Sequence, residues 1–389
     1  MDASSTYYIK RWQESDSLDM NKIDFFKHNI DEEDISRVND VLRSIFLTNA
    51  NVTKEFEKKF SEYLKSKHCI AVNSCTAALH LSLLALGIKE GDEVITTPMS
   101  FVATSNAILH AGATPVFVDI EEDTGNIDAS LIESAITSKT KAIIPVHLYG
   151  NMCDMIKIKE IADKYNLKII EDAAHCIEGE RDGIRVGELS DATCFSFYAT
   201  KNITSGEGGA ITTNNQEMAD LLYQLRLHGI NKDASSRYTD KFQHWDMRVL
   251  GWKYNISDIQ SALLIGQLEK IEDNLNLRET LAKDYEDALD AMGIRYITVP
   301  KNTKSARHLF IIKIKNRDEV VNKLQNKGIG VAVNYRAIHI LDYYKKTFEY
   351  KDNDFPIAKK FGNEVLSIPF YTKLESSQIK YILNHLAKL

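Results

Sequence analysis

The chain lacks the features that mark several specialised classes of protein. Its five cysteines are widely spaced, odd in number and without a C-x-x-C pair, so neither a zinc site nor a disulfide framework is predicted. No apolar stretch approaches membrane-spanning length, and the first residues lack the basic start and apolar run of a signal peptide. We therefore expect a cytoplasmic protein with reduced thiols and no membrane partner.

An excess of basic residues is also missing. The formal net charge of the 389 residues is -7, which argues against nucleic acid or an anionic membrane surface as the main partner. The eleven histidines show no spacing typical of metal ligands, so no metal site is predicted. A content of 44% hydrophobic and 26% charged residues is that of an ordinary soluble globular protein.

What the chain does have is length and a regular alternation of segments. It is too long for one simple core, and we predict three parts. Residues 1–29 are polar and lack periodicity, which indicates an N-terminal arm. In residues 30–255 short apolar runs alternate with amphipathic segments, which is typical of an α/β domain whose mostly parallel sheet carries helices on both faces. Residues 256–389 change rhythm and predict a smaller α+β domain.

The individual elements follow from periodicity and turn residues. The predicted strands of the large domain are Cys69–Val72, Glu93–Thr97, Pro115–Ile120, Ala142–His147, Leu167–Glu171, Ala192–Phe197 and Ala210–Thr213. The predicted helices between them are Thr76–Leu86, Phe101–His110, Ala129–Ile136, Asp154–Tyr165 and Gln216–Leu227. The small domain is predicted to begin with two long helices, Ser257–Leu275 and Leu277–Met292.

Lys201 follows a predicted strand and precedes the glycine turn Gly206-Glu-Gly-Gly209. An amine held near apolar groups loses its proton more readily than one in water, and only the neutral amine attacks a carbonyl. This is a setting in which a lysine can form a Schiff base. A surface lysine in a loop explains the position equally well, so the neighbouring strand ends must decide.

Other strand ends carry residues that fit the same chemistry, because ligands of open α/β sheets bind at the carboxyl ends of the strands. Asp172 can pair with a protonated pyridine nitrogen. Ser74 and Thr76 lie in the first turn of a helix, where free N–H groups bind anions. Phe101 can stack on a planar ring. Helix capping or core packing explains each residue singly, but together with Lys201 they favour a phosphorylated pyridine cofactor.

Taken together, these segments resemble the DegT/DnrJ/EryC1/StrS family of sugar aminotransferases, which use pyridoxal 5′-phosphate on aminotransferase fold type I. The resemblance runs from about Asp31 to the C-terminus. The matching segments are Leu47-Thr48, Asn73–Leu79, Gly91–Val94, Ala113–Pro115, Val146–Gly150, Glu171–His175, Phe195–Gly209, Gly251–Asn255, Asp258–Gln260 and Leu366–Pro369.

The resemblance implies roles for the matching residues. Lys201 would hold the cofactor through a Schiff base, and Asp172 would pair with its ring nitrogen. The residues implied in catalysis are Lys201, Asp172 and His175. The residues implied in cofactor binding are Ser74, Cys75, Thr76, Phe101, Asp172, His175, Ser196, Lys201 and Asn255, the last reaching the cofactor of a neighbouring subunit in a homodimer. The residues implied in substrate binding are Thr48, Trp252, Lys253, Tyr335 and His339.

The chain departs from the family pattern without losing a catalytic group. Cys75 and Glu178 stand where glycine is usual, and Asn49-Ala50-Asn51 replaces a common Thr-Gly-Pro. Asn334 and Ala337 replace a frequent histidine and proline. Because several of these positions belong to segments near the implied substrate, they leave the sugar specificity open.

The activity implied by the resemblance is transfer of an amino group from L-glutamate to a nucleotide-linked keto-sugar, a UDP- or dTDP-linked 4-keto-6-deoxy hexose. Alternatives on the same fold are a 3-keto-sugar aminotransferase and a pyridoxal-phosphate-dependent sugar dehydratase, which has histidine in place of the lysine. A nicotinamide-dependent oxidoreductase is disfavoured, because no G-x-G-x-x-G follows the first strand. A non-enzymatic regulator is disfavoured by the intact lysine and carboxylate.

Overall fold

The computed structural model describes residues 22–231 and 244–389, so most of the predicted arm lies outside the described residues. The strands are β1 His68–Val72, β2 Glu93–Thr96, β3 Thr114–Phe117, β4 Thr140–Ile143, β5 Lys168–Asp172, β6 Glu180–Arg181, β7 Ile184–Arg185, β8 Ala192–Ser196, β9 Gly209–Thr213, β10 Arg295–Tyr296, β11 Thr303–Lys304, β12 Phe310–Lys313 and β13 Val365–Ile368.

The helices are interleaved with these strands. They are α1 Glu32–Leu42, α2 Asn51–Leu64, α3 Cys75–Ala85, α4 Ala103–His110, α5 Ala129–Ile132, α6 Met155–Tyr165, α7 Gln216–Leu225, α8 Asp258–Glu269, α9 Ile271–Met292, α10 Arg317–Gln325, α11 Asp342–Phe348, α12 Pro356–Glu364 and α13 Ser376–Leu386. No helix of the described ranges has the length and apolarity needed to cross a membrane.

In the part of the chain that the structure describes, the large sheet has seven strands in the order β1-β9-β8-β5-β4-β2-β3. The pairs among β3, β2, β4, β5 and β8 are parallel, and β9 pairs antiparallel with both of its neighbours. The predicted mostly parallel sheet of an α/β fold is therefore confirmed.

Strands of the large sheet bury apolar residues on both faces because helices cover the sheet on both sides. In β1, Ile70 and Val72 join the core under helices α3, α4 and α7, whereas Cys69 and Ala71 join the core under α2, α6 and α8. Side chains alternate between the faces of a strand, so a strand covered on both sides can bury apolar residues at successive positions. This is the reason for the near-continuous apolar runs in the sequence.

The smaller C-terminal sheet is antiparallel, in the order β10-β12-β13. Its core contains Tyr285, Phe310 and Leu383, together with Ile23 from the start of the described chain. The backbone of Ile23 bonds to Gly328 and Gly330 at 2.8 Å each. This segment therefore packs on the C-terminal part of the protein.

The two long helices that follow residue 256 divide at a different place from the one predicted. The first ends at Glu269 and the second begins at Ile271, so the break lies at Lys270 and not near Asn276. The ammonium of Lys270 lies 2.6 Å from the carboxylate of Asp31. No glycine or proline marks this break, so local sequence carried no signal for it.

The predicted domain boundary at residue 256 stays a prediction. Leu264, Leu268 and Ile271 pack in the core of the large sheet, whereas Leu281 packs in the core of the small one. On packing grounds we propose that the small domain begins after Ile271. Asp258 also serves the large domain, because its carboxylate accepts the N–H of Ala50 at 2.8 Å and that of Thr53 at 3.0 Å, at the start of α2.

Candidate active site

A cavity of about 510 Å³ opens at the carboxyl ends of β1, β5 and β8. Nine residues implicated from the sequence line it: Ser74, Cys75, Thr76, Phe101, Asp172, His175, Ser196, Lys201 and Tyr335. These residues come from six separate segments of the chain. The sheet brings them together because parallel strands end at the same edge.

Asp172 lies at the bottom of this cavity at the end of β5 and is 5% exposed. One carboxylate oxygen accepts the hydroxyl of Thr104 at 2.7 Å, and the other accepts the N–H of Ala174 at 3.1 Å. Burial raises the pKa of Asp172, while Thr104, Ala174 and the nearby Lys201 oppose that rise. The carboxylate is thus fixed in orientation and ready to pair with a cationic partner.

Lys201 lies in the loop after β8, with its backbone N–H bonded to the carbonyl of Tyr198 at 2.9 Å. Burial lowers the pKa of its amine to about 8, against smaller opposing effects of Cys75 and Asp172. An amine with this pKa is neutral in a useful fraction of molecules near neutral pH, which a nucleophile and proton carrier requires.

The start of α3 forms a predicted anion site. The hydroxyl oxygen of Ser74 accepts the N–H of Ala77 at 3.1 Å, which caps the helix and leaves the hydroxyl proton available to an anion. The first-turn N–H groups of Cys75 and Thr76 have no acceptor within the helix. Gly209 permits the close approach of β9 to this turn, because a Cβ there would lie 2.6 Å from the nitrogen of Cys75.

Aromatic residues form the mouth of the cavity. Phe101 is 58% exposed even though its ring lines the cavity, and its centroid lies 5.8 Å from that of Tyr335. An exposed apolar ring at this position is available to stack on a flat ligand. The hydroxyl of Tyr335 lies 3.2 Å from Nε2 of His175.

The hydrogen bonds of His175 assign its tautomer. Nδ1 accepts the backbone N–H of Tyr149 at 3.2 Å, so the proton of the neutral ring is on Nε2. Burial lowers the pKa of His175 well below its usual range, and Lys201 and His308 lower it further. The ring is therefore a neutral donor that points towards Tyr335.

These groups fit the cofactor predicted from the sequence. The cavity combines the amine of Lys201, a buried carboxylate, the N-terminus of a helix and an exposed aromatic ring. Within the described ranges no group of three or more histidine, cysteine or acidic side chains is arranged to hold a metal ion. The polar and aromatic groups of the cavity therefore fit a phosphorylated organic ring.

Five of the implicated residues do not line this cavity in the described chain: Thr48, Trp252, Lys253, Asn255 and His339. The amide nitrogen of Asn255 lies 3.4 Å from the hydroxyl of Thr48. The ring of Trp252 packs on His80, and that of His339 is buried against Phe355. The roles of these five residues stay predictions.

Among the lining residues that were not assigned a role from the sequence, Thr104 and Phe25 have contacts that bear on the site. Thr104 holds Asp172, and its hydroxyl also lies 2.9 Å from that of Ser100. Its position in the first turn of α4, after a strand end, was an available signal. Phe25 comes from the start of the described chain and also lines the cavity. Nothing in its local sequence indicated this contact.

Comparisons with known proteins agree with this geometry. The model of the DegT/DnrJ/EryC1/StrS aminotransferase family matches residues 28–387. An uncharacterized protein of Methanocaldococcus jannaschii, MJ1066, is 44% identical, covering 94% of this chain and 96% of its own. The spore coat polysaccharide biosynthesis protein SpsC of Bacillus subtilis is 40% identical, covering 91% and 93%. A UDP-4-amino-4-deoxy-L-arabinose--oxoglutarate aminotransferase of Shewanella sediminis is 36% identical, covering 92% and 96%.

Solved structures give the same result. The putative sugar aminotransferase Spr1654 of Streptococcus pneumoniae in its PMP form superposes with a TM-score of 0.89 at 32% identity, covering 94% of this chain and 98% of its own. PseC of Helicobacter pylori, an aminotransferase involved in the biosynthesis of pseudoaminic acid, superposes with a TM-score of 0.88 at 30% identity, with the same coverage.

Proposed function

Because the chain belongs to the DegT/DnrJ/EryC1/StrS aminotransferase family and is a pyridoxal-phosphate-dependent sugar aminotransferase, we propose that it transfers the amino group of L-glutamate to a keto-sugar carried on a nucleotide. The observation that carries the proposal is the meeting of Lys201, Asp172 and the N-terminus of α3 in one cavity. A 4-keto-6-deoxy hexose on UDP or dTDP is the proposed acceptor.

Lys201 is the proposed proton carrier. Its amine, with a pKa of about 8, would first hold the cofactor and then, once displaced by the amino donor, take up and return the proton at the reacting carbon. When bound, pyridoxal phosphate supplies the electron sink for this proton transfer. The surrounding apolar groups keep the amine neutral in enough molecules for it to act.

Asp172 is the proposed partner of the ring nitrogen. Its two oxygens are held by Thr104 and by the N–H of Ala174, so the carboxylate needs no reorganisation when a positive charge approaches. Ser74, Thr76 and Ser196 would hold the phosphate together with the first-turn N–H groups of α3.

The donor and the nucleotide are inferred from relatives. The name of the Shewanella relative pairs a UDP-linked amino sugar with oxoglutarate, which is the keto acid that remains when glutamate gives up its amino group. We propose the same class of donor and acceptor for this chain. The five cysteines are free and buried in the structure, which supports a reducing compartment such as the cytoplasm.

A homodimer with a shared active site is also proposed. Among the described residues, the buried side-chain oxygen of Asn255 has no hydrogen-bond partner. The nearby apolar side chains of Trp245, Met247 and Leu250 are 59%, 56% and 75% exposed. A second copy of the chain packed on this segment would cover these side chains. Asn255 would then reach the cofactor bound by that second copy. Sedimentation of the purified protein should give twice the mass of one chain, and Leu250→Glu should give monomers.

The substrate proposal can be tested directly. The purified enzyme is incubated with pyridoxal phosphate, L-glutamate and a panel of UDP- and dTDP-linked 4-keto and 3-keto hexoses, and the products are identified by mass and NMR. The expected product is an amino sugar formed together with one equivalent of oxoglutarate. Loss of water from the sugar without oxoglutarate would instead identify a dehydratase, and amination at C3 would identify the 3-keto alternative.

A further inference from the structure

Two buried imidazole rings lie in contact at the edge of the cavity. The centroids of His175 and His308 are 4.4 Å apart, with their planes inclined by 42°. The two residues are 7% and 5% exposed. His308 comes from the segment before β12, far from His175 in the chain, and the proposed reaction assigns it no role.

The backbone of one residue of the large domain, Tyr149, bonds to both histidines. The N–H of Tyr149 donates to Nδ1 of His175 at 3.2 Å, and the carbonyl of Tyr149 accepts the N–H of His308 at 3.1 Å. The next residue, Gly150, lies so close that a Cβ there would come within 2.7 Å of the nitrogen of Arg307. The carbonyl of Gly150 also accepts the N–H of Ala306 at 2.9 Å. The spacing between the two rings is therefore set by backbone contacts.

A buried polar chain orients His308 from its other side. The amide nitrogen of Asn202 donates to the carbonyl of Ala306 at 2.9 Å and to the carboxylate of Glu178 at 3.2 Å. These acceptors fix which end of the amide is the oxygen, so that oxygen accepts a hydrogen bond from the Nδ1–H of His308 at 3.1 Å. Arg278 then donates to Glu178 at 2.5 Å.

We propose that His308 is a positioning residue that holds the ring of His175 with its Nε2 proton directed at Tyr335 and the cavity. Asn202 adjoins Lys201 in the chain, whereas Arg278 and His308 belong to the C-terminal half of the protein. The network therefore joins that half to both His175 and the loop that carries Lys201. Glu178, which links Asn202 to Arg278, stands where glycine is usual in the family, so this link is a feature of the present chain.

The proposal predicts what happens when either property of His308 is removed. His308→Asn keeps a donor for Asn202 but removes the ring that packs on His175. His308→Phe keeps a ring but removes the donor. The ring of His308 contacts His175 directly, whereas the hydrogen bond to Asn202 acts only by orienting that ring. The asparagine variant should therefore have the larger effect.

The readout is the tautomer of His175, observed by two- and three-bond ¹H–¹⁵N correlation in histidine-labelled protein without cofactor. His175→Gln assigns the signal. Wild-type protein should show the Nε2 proton alone. In His308→Asn the ring of His175 loses its neighbour and can turn away from the N–H of Tyr149, so both tautomers should appear. In the loaded enzyme the same variant should lower kcat roughly tenfold with KM for the nucleotide sugar changed less than about twofold. His385→Gln, on the surface helix α13, should change neither quantity.

An unchanged tautomer of His175 in folded His308→Asn would overturn the proposal, whatever happens to turnover. If His308→Asn does not fold, Glu178→Gln tests the same proposal. This substitution keeps the size of the side chain but weakens its hydrogen bonds with Asn202 and Arg278. A partial second tautomer supports the proposal, and an unchanged spectrum rejects it. The inference rests on the proposed function only for the statement that His175 faces the cofactor. Failure of that function would appear as inactive wild-type enzyme with the tautomer response intact.

Discussion

The two sides of the cavity are built in different ways. The sheet side carries Ser74, Asp172, Ser196 and Lys201, each within a few residues of a strand end. The opposite side carries Phe25, Asn334 and Tyr335, which come from distant parts of the chain. The sheet side contains the groups proposed to do the chemistry, and we propose that the sugar binds against the opposite side. Local sequence therefore encodes the reaction more directly than the choice of substrate.

The two sides also differ in how their positions are held. Asp172 is fixed by a hydroxyl and an N–H at the sheet edge. The backbone carbonyl of Asn334 accepts the hydroxyl of Tyr149, and its amide oxygen accepts the hydroxyl of Ser367 at 2.8 Å. The opposite side is thus braced by long-range contacts. Substitutions on the sheet side should change kcat, whereas those on the opposite side should change KM.

The largest expected effect is that of Lys201→Ala. Removal of the amine eliminates both the covalent link to the cofactor and the proposed proton carrier, and loss of general acid–base catalysis alone is worth roughly 10²–10⁴-fold. We expect no multiple turnover and no yellow protein, measured by oxoglutarate formation and visible absorbance. Lys164→Ala, on an exposed helix end, is the matched control. Substantial multiple turnover by the alanine variant would show that the sheet side does not contain the chemistry.

Asp172→Asn should follow in size. The substitution keeps the shape but removes the negative charge that is proposed to stabilise a protonated ring nitrogen. We expect kcat to fall roughly 10²–10³-fold, the range for loss of one preorganised electrostatic group. The cofactor should still form its visible band because Lys201 is intact. Asp163→Asn, an exposed aspartate paired with Lys159, is the control, and a fall in kcat of less than tenfold would contradict the assigned role.

Much of the sheet side could be predicted from sequence because its signals are local. An apolar strand, a turn and a helix start place Asp172 or Ser74 at the sheet edge without knowledge of the rest of the fold. The mostly parallel sheet followed from the same alternation. Thr104 was overlooked because a hydroxyl in a first helical turn is ordinarily explained as a cap.

The remaining features depend on contacts between distant segments. The neighbours of Phe25 are set by the pairing of Ile23 with residues 328–330, and no periodicity encodes such a pairing. The contact between the rings of His308 and His175 depends on the close approach at Gly150, which appears in the sequence only as one glycine among eighteen. The break at Lys270 arises where α1 meets the end of α8, so it also required the tertiary structure.

Thr104→Val should sharpen the comparison through its pH dependence. Burial raises the pKa of Asp172, and the hydrogen bond from Thr104 opposes that rise. Without the hydroxyl the pKa of Asp172 rises further, so the carboxylate becomes protonated at a higher pH. The acid limb of the kcat–pH profile therefore moves to higher pH. A hydrogen bond to a charged group is worth about 1.5–3 kcal/mol. At a pH on the acid limb, kcat of the variant should therefore be about tenfold or more below that of the wild type. Thr137→Val, which removes an exposed bond to Glu93, is the control, and an unmoved acid limb would contradict the proposed support of Asp172.

Phe25→Ala should have the smallest effect and tests the opposite side of the cavity. An aromatic contact contributes about 0.5–1.5 kcal/mol beyond burial, so we expect KM for the nucleotide sugar to rise several-fold. Because Phe25 is assigned no part in the proposed proton transfer, kcat and the visible absorbance of the enzyme should stay unchanged. Phe26→Ala, the adjacent phenylalanine, which does not line the cavity, should leave KM unchanged. A fall in kcat at constant KM in Phe25→Ala would place this residue with the chemistry and remove the functional distinction between the two sides.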